Sequence, residues 1–247
     1  MAIVVLQHSE SSGAGRLGAA LRDHGHTLRM VSLHEGQPLP VDLDDVDGVL
    51  STGGPQSALG GDSWLAGEIA FLRAADARAI PIVGLCLGCQ VLARALGGEV
   101  APNAGGIEFG WHDVTLTPPG ADDVILSGIA WTSKQFHFHR EGVSKPPPGA
   151  RVLARSQRSP VQAWARGLRT YAFQYHPENT TQTIEQWAAQ EPAALQEAGL
   201  SLESLREQTR RYYPVFERLS ERLFESMALF LMPADRRTRG LVKDLHH

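Results

Sequence analysis

Pro81-Ile82-Val83-Gly84-Leu85-Cys86-Leu87-Gly88-Cys89-Gln90-Val91-Leu92-Ala93-Arg94-Ala95-Leu96-Gly97-Gly98 decides how the chain folds. The apolar run 80–85 predicts a buried strand, and residues 90–96, stopped by Gly97-Gly98, predict a helix. Between them, Gly84-x-Cys86-x-Gly88 has the spacing of a nucleophile elbow written with cysteine. The turn from strand into helix is so tight that the flanking positions must lack side chains, and the central residue is held strained above the sheet edge. The thiol is thereby presented at a helix N-terminus, where the macrodipole and unpaired N–H groups favour an anion. Two plainer readings compete. A cysteine in apolar surroundings is usually a small core hydrophobe, and Cys86-Leu87-Gly88-Cys89 is formally a redox C-x-x-C. Neither role needs the paired glycines.

Upstream of the elbow, residues 3–6, 28–33 and 46–50 read as strands and residues 13–23 and 64–77 as helices, the latter with Trp64, Leu65, Ile69 and Leu72 on its apolar side. This alternation predicts an open, mostly parallel sheet with helices on both faces. The acidic, proline-bearing stretch 35–47 is expected on the surface. His8, His24, His26 and His34 have no ligand spacing and read as solvated; His8, directly after the first strand, is the one able to approach the face where such sheets bind ligands. Ser51-Thr52-Gly53-Gly54-Pro55 follows a strand at its carboxyl end. Two glycines there let the backbone approach a ligand closely, with Gly53 a candidate substrate contact. An elbow takes one oxyanion donor from the residue after the nucleophile, here Leu87, and the other from a neighbouring strand loop, for which Gly54 is the candidate.

Downstream the pattern changes. Residues 111–117, 130–138, 152–154, 161–164 and 170–175 are short runs separated by Pro and Gly, read as antiparallel strands added to the sheet or forming a small one beside it. His137 and His139 share one face of a strand, but a metal site needs further ligands that the neighbouring sequence does not offer, so no metal is expected. In Gln174-Tyr175-His176-Pro177-Glu178, residues i and i+2 of an extended segment project the same way, so Glu178 can orient His176 as a base for the nucleophile. Beyond residue 190, Tyr212, Phe216, Leu219, Leu223, Met227 and Phe230 recur at helical spacing up to Met232-Pro233.

The bulk numbers narrow the classes. A net charge of −4 and a pI near 6.2 give no basic field for nucleic acid. No apolar run is long enough for a membrane span, and the first residues read as a strand, not a signal peptide. Two cysteines three positions apart do not staple a fold of this size, so a thiol-using, cytoplasmic protein is expected. His246-His247 is given no function.

Taken together, Thr52-Gly53-Gly54-Pro55, Gly84-Leu85-Cys86-Leu87-Gly88-Cys89-Gln90 and Gln174-Tyr175-His176-Pro177-Glu178 resemble the class I glutamine amidotransferases. Ile107-Glu108-Phe109-Gly110-Trp111 and the region of His139 fit the GMP synthetase-like branch. The resemblance covers about residues 1–190 and implies a flavodoxin-like α/β amidotransferase domain there, with residues 191–247 a helical extension packed on it or used for association. It implies a Cys86, His176, Glu178 triad attacking the carboxamide of glutamine, with Gln90 touching the glutamyl portion, and no cofactor. Cys89 departs from the alanine or histidine common at its position, and Glu141 stands where many relatives have the aspartate of His-x-Asp. Without a phosphate-binding loop in the sequence, the implied partner is a separate synthetase or a second copy of the chain. The alternatives are a stand-alone γ-glutamyl hydrolase and a non-enzymatic thiol sensor.

Overall fold

In the computed structural model, residues 2–232 are described. They form a nine-stranded sheet, a two-stranded sheet and flanking helices. The elbow strand β4 (Ile82–Leu85) lies mid-sheet, with β3 (Val46–Ser51), β1 (Ala2–Gln7) and β2 (Leu28–Ser32) in parallel order on one side. Side chains of β1 alternate into two different cores. Ile3 and Val5 pack with α1 (Gly15–Asp23), while Val4 and Leu6 pack with α2 (Leu65–Ala77) and α3 (Leu87–Ala95). Burial on both faces explains why such strands read as unbroken apolar runs.

On the other side of β4 comes β11 (Thr170–Phe173), and then β10 (Ala163–Arg166), β9 (Ala150–Arg155), β6 (Glu108–Leu116) and β7 (Thr132–His139). The last four are antiparallel, as expected, but β11 is a correction: it runs parallel to β4, Phe173 pairing with Leu85, and antiparallel only to β10. Its apolar TYAF run is buried on both faces, which suits a central parallel strand. All the runs read as downstream strands join the large sheet; the small separate sheet is made by β5 (Glu99–Pro102) and β8 (Glu141–Lys145), which the sequence reading did not single out.

The last helices close a third core. Ile184 and Trp187 of α5 (Thr181–Gln190), Leu195 of α6 (Pro192–Glu197) and Leu205 and Phe216 of α7 (Leu202–Ser226) cover Phe109, Trp111 and Phe136 of β6 and β7. Helix α7 starts on a reciprocal Ser201/Ser204 capping box. Its far end enters the same core as β1 and β4 through Leu223, Phe224 and Met227. The helical repeat holds to Met227 and then fails at Phe230, which is 60% exposed. A wide π turn over Met227–Leu231 advances the register, so Ala228 and Leu231 face inward instead. The expected stop at Pro233 and the His246-His247 pair lie outside the described residues. Among the described residues, no helix is long and apolar enough to cross a membrane.

Candidate active site

Three adjacent parallel strands, β3, β4 and β11, end at one edge and hand their following residues to one place. Cys86 sits at φ 50°, ψ −105°, a left-handed conformation costly for any residue but glycine. Close packing holds it there. Its N–H donates to Phe173 O at 2.8 Å, and the Gly88 N–H donates to Thr52 O at 3.0 Å. A Cβ on Gly88 would stand 2.1 Å from Ser51 O, and one on Gly84 would stand 2.7 Å from Gly88 O. The two glycines are therefore required by backbone contact. The Cys86 thiol is 3.6 Å from Phe138 O and receives Gln174 Nε2 at 3.8 Å.

His176 and Glu178 follow β11. The His176 Nδ1 meets Glu178 Oε1 at 2.7 Å, with both side chains nearly inaccessible, and the ring stands edge-on to Trp187. The position a Gly53 Cβ would take is 2.9 Å from His176 Cε1 and 3.7 Å from Cys86 Cβ, so imidazole and thiol flank the same glycine. Burial alone would push the His176 pKa down. The Cys86 thiolate and the Glu178 carboxylate reverse this and raise it to about 10.

A cavity of about 370 Å³ opens over these groups, lined by Gly54, Cys86, Leu87, Gln90 and His176 among others. Leu87 opens α3, so its N–H has no helical acceptor and is available at the cavity. Gly53 is not in the lining; it lies beneath His176. Gln90 donates to Glu141 O at 2.8 Å and to Gln174 Oε1 at 3.3 Å, which aims its amide at the wall. The sequence reading missed Glu141 as a site residue. Its Oε1 takes the Ser57 hydroxyl at 2.7 Å, while Oε2 is buried without a partner. The other wall, Trp187, Gln190, Glu191 and Ala194, comes from α5 and the start of α6.

His8 is not solvated, contrary to expectation, and His26 is buried as well. The His8 side chain is 0% exposed. Its Nε2 lies 2.8 Å from Glu68 Oε2 and its Nδ1 3.1 Å from Thr52 O, and Ser51 Oγ donates to Glu68 Oε1 at 2.6 Å. Burial lowers the His8 pKa, but Glu68 outweighs it, and the net shift is upward. The pair backs the Thr52-Gly53-Gly54 loop, and Gln56 Nε2 donates to His8 O at 2.7 Å. The signal missed was position: Glu68 falls three after Leu65 and four before Leu72, on the buried stripe of α2.

The histidine pair on β7 also gains a partner that the neighbouring sequence does not offer. Strand pairing sets Glu108 opposite His139, with Oε2 and Nε2 3.1 Å apart. Burial raises the Glu108 pKa, but the His139 hydrogen bond and nearby histidines hold it down at about 2. Cys86 and Cys89 are free thiols; Cys89 is fully buried, and that burial pushes its thiol pKa far up.

The geometry agrees with the kinships of the chain. It is 32% identical over 138 residues to one component of the GMP synthase (glutamine-hydrolyzing) of Sulfolobus acidocaldarius, covering 56% of this chain and 70% of that protein. It is 31% identical over 193 residues to the putative glutamine amidotransferase-like protein YfeJ of Salmonella typhimurium, covering 74% of this chain and 77% of that one. The crystal structure of a glutamine amido transferase from Methylobacillus flagellatus superposes with a TM-score of 0.84 at 27% identity, covering 93% and 95% of the two chains. The family model "Glutamine amidotransferase class-I" matches residues 9–190, a span that contains the elbow, the glycine loop and the His-Pro-Glu run, and this chain belongs to that family.

Proposed function

We propose that the chain hydrolyses the carboxamide of glutamine through a cysteine thioester and supplies ammonia to a separate synthetase. The observation that carries the reading is the strained, glycine-framed Cys86 beside an imidazole whose far nitrogen is fixed by Glu178. The Cys86 thiolate attacks the substrate Cδ, and the oxyanion is received by the Gly54 and Leu87 N–H groups, each worth about 3 kcal/mol. His176 gives its proton to the departing nitrogen, and the C–N bond breaks to leave a glutamyl thioester and ammonia. Water then loses a proton to His176 and attacks the thioester, regenerating the thiolate and releasing glutamate. The unpartnered Glu141 Oε2 suits the substrate's α-ammonium, since a cation there satisfies a buried acceptor. The synthetase partner is suggested by the Sulfolobus relative, whose name makes it one of the subunits of its enzyme.

A second reading keeps these residues and makes the chain a self-sufficient hydrolase of γ-glutamyl amides or peptides. In its favour, both walls of the cavity come from this one chain, including the segment after residue 190. A thiol sensor is disfavoured, because Cys89 is sealed in the core with a raised pKa. Glutamate release from glutamine and from a panel of γ-glutamyl amides, with Cys86→Ala as blank, tests the set. Turnover of glutamine that rises when a synthetase is added supports the first reading, and turnover of a conjugate by the chain alone supports the second. A chain that neither releases glutamate nor is alkylated at Cys86 by a glutamine-like electrophile is not an amidase.

A further inference from the structure

We propose that Glu108, His137 and His139 form a binding site for one divalent transition-metal ion of the zinc class. The three side chains belong to neighbouring strands and share one face, and their candidate ligand atoms all lie within 4.8 Å of one another in fully buried surroundings. His139 Nδ1 is 2.9 Å from Glu141 O, which can only accept; in the tautomer that donates to this carbonyl, the one a metal would select, Nε2 presents its lone pair. The Asn103 Nδ2 lies 3.0 Å from the same Nδ1 and donates to His139 O at 3.4 Å. His139 Nε2 then faces Glu108 Oε2 at 3.1 Å and His137 Nδ1 at 3.3 Å. The Glu108 carboxylate is itself an acceptor, taking Gln162 Nε2 at 2.9 Å and Ser156 Oγ at 3.2 Å.

In that tautomer the electron pairs of Glu108 Oε2 and His139 Nε2 face each other and repel unless a cation stands between them. A tetrahedral ion with bonds of 2.0–2.1 Å has ligand-to-ligand edges of about 3.3 Å, close to the two spacings about His139 Nε2, 3.1 and 3.3 Å. Two imidazoles and one carboxylate are a donor set zinc favours, and one vertex is left for water. Outer contacts of the kind that orient metal ligands are in place: Nδ1 of His139 on a backbone carbonyl, and Glu108 held by Gln162 and Ser156. The ion would tie β6 to β7 and fix His139, whose partner Glu141 O also receives Gln90. The proposal does not depend on the chemistry assigned to Cys86.

The test is metal titration of the full chain carrying Cys86→Ala, which removes the thiolate as a competing ligand. After stripping with a chelator, cobalt(II) is added as the probe. The expected result is the visible bands of four-coordinate cobalt saturating at one equivalent, displaced by zinc, with a higher thermal midpoint in the zinc form. Glu108→Gln and His137→Gln should each weaken binding at least tenfold. Should either variant fail to fold, the titration, displacement and thermal shift of the parent chain still decide. A folded parent chain that shows no bands and retains no metal, with two ring protons on His139 by nitrogen NMR, overturns the proposal in favour of a shared proton. Bands undiminished in both folded variants overturn it too, by locating the metal elsewhere.

Discussion

Two buried histidine–carboxylate pairs bracket the Thr52-Gly53-Gly54 loop. His176 and Glu178 meet at 2.7 Å on its cavity side, and His8 and Glu68 meet at 2.8 Å behind it. Both imidazoles have raised pKa values despite burial, His8 through Glu68 and His176 through Cys86 together with Glu178. They differ in what the remaining ring nitrogen meets. In His176 it faces a thiol at an open cavity; in His8 it faces the Thr52 carbonyl inside a sealed core. The same pair of side chains is thus suited to moving a proton in one setting and to holding a loop in the other. Neighbours decide the role, not residue type.

Four substitutions put that contrast to the test. On the proposed chemistry, Cys86→Ala leaves a folded chain whose glutamate release falls by about 10⁴-fold or more. Glu178→Gln keeps the ring packed but loses its orienting charge, and kcat for glutamate release should fall about 10³- to 10⁴-fold with a smaller change in KM. His8→Asn acts through structure instead. It leaves Glu68 buried without its ring partner, so denaturant unfolding should show a loss of about 3 kcal/mol, while activity per folded molecule drops only about tenfold. Because the folded-state pKa of His8 lies above its ordinary 6.5, the stabilisation from this pair is complete below pH 6.5 and declines as pH rises through the folded value. Stability of the wild type relative to His8→Asn, measured from about pH 6 to 9, should therefore narrow on the alkaline side. Cys89→Ala should be the mildest, costing about 1 kcal/mol with glutamate release unchanged within about twofold; a large loss of activity would revive a redox role for Cys89.

The elbow and the His-Pro-Glu run were legible because their chemistry is local. Gly84, Cys86 and Gly88 are spaced by a single turn, and His176 and Glu178 by one strand repeat. What escaped was non-local. Glu68 is 60 residues from His8, and Glu108 reaches His139 only through the pairing of β6 with β7. The direction of β11 was equally hidden, since a short apolar strand reads alike in either orientation until its neighbour is known. Phe230 was misplaced because a π turn breaks a periodicity that sequence spacing assumes to be uniform.

The insertion of β11 between β4 and β10 has a consequence during synthesis. The ribosome delivers Cys86 and its strand well before the strand that must lie beside them; Gln174, which reaches the sulfur, comes 88 residues later. Until then β4 has an open edge, able to pair with another chain. On the proposed chemistry, the nucleophilic thiol is therefore made early and its base late. A truncated product ending before residue 170 would carry the first without the second, exposed along the very strand where another chain can pair.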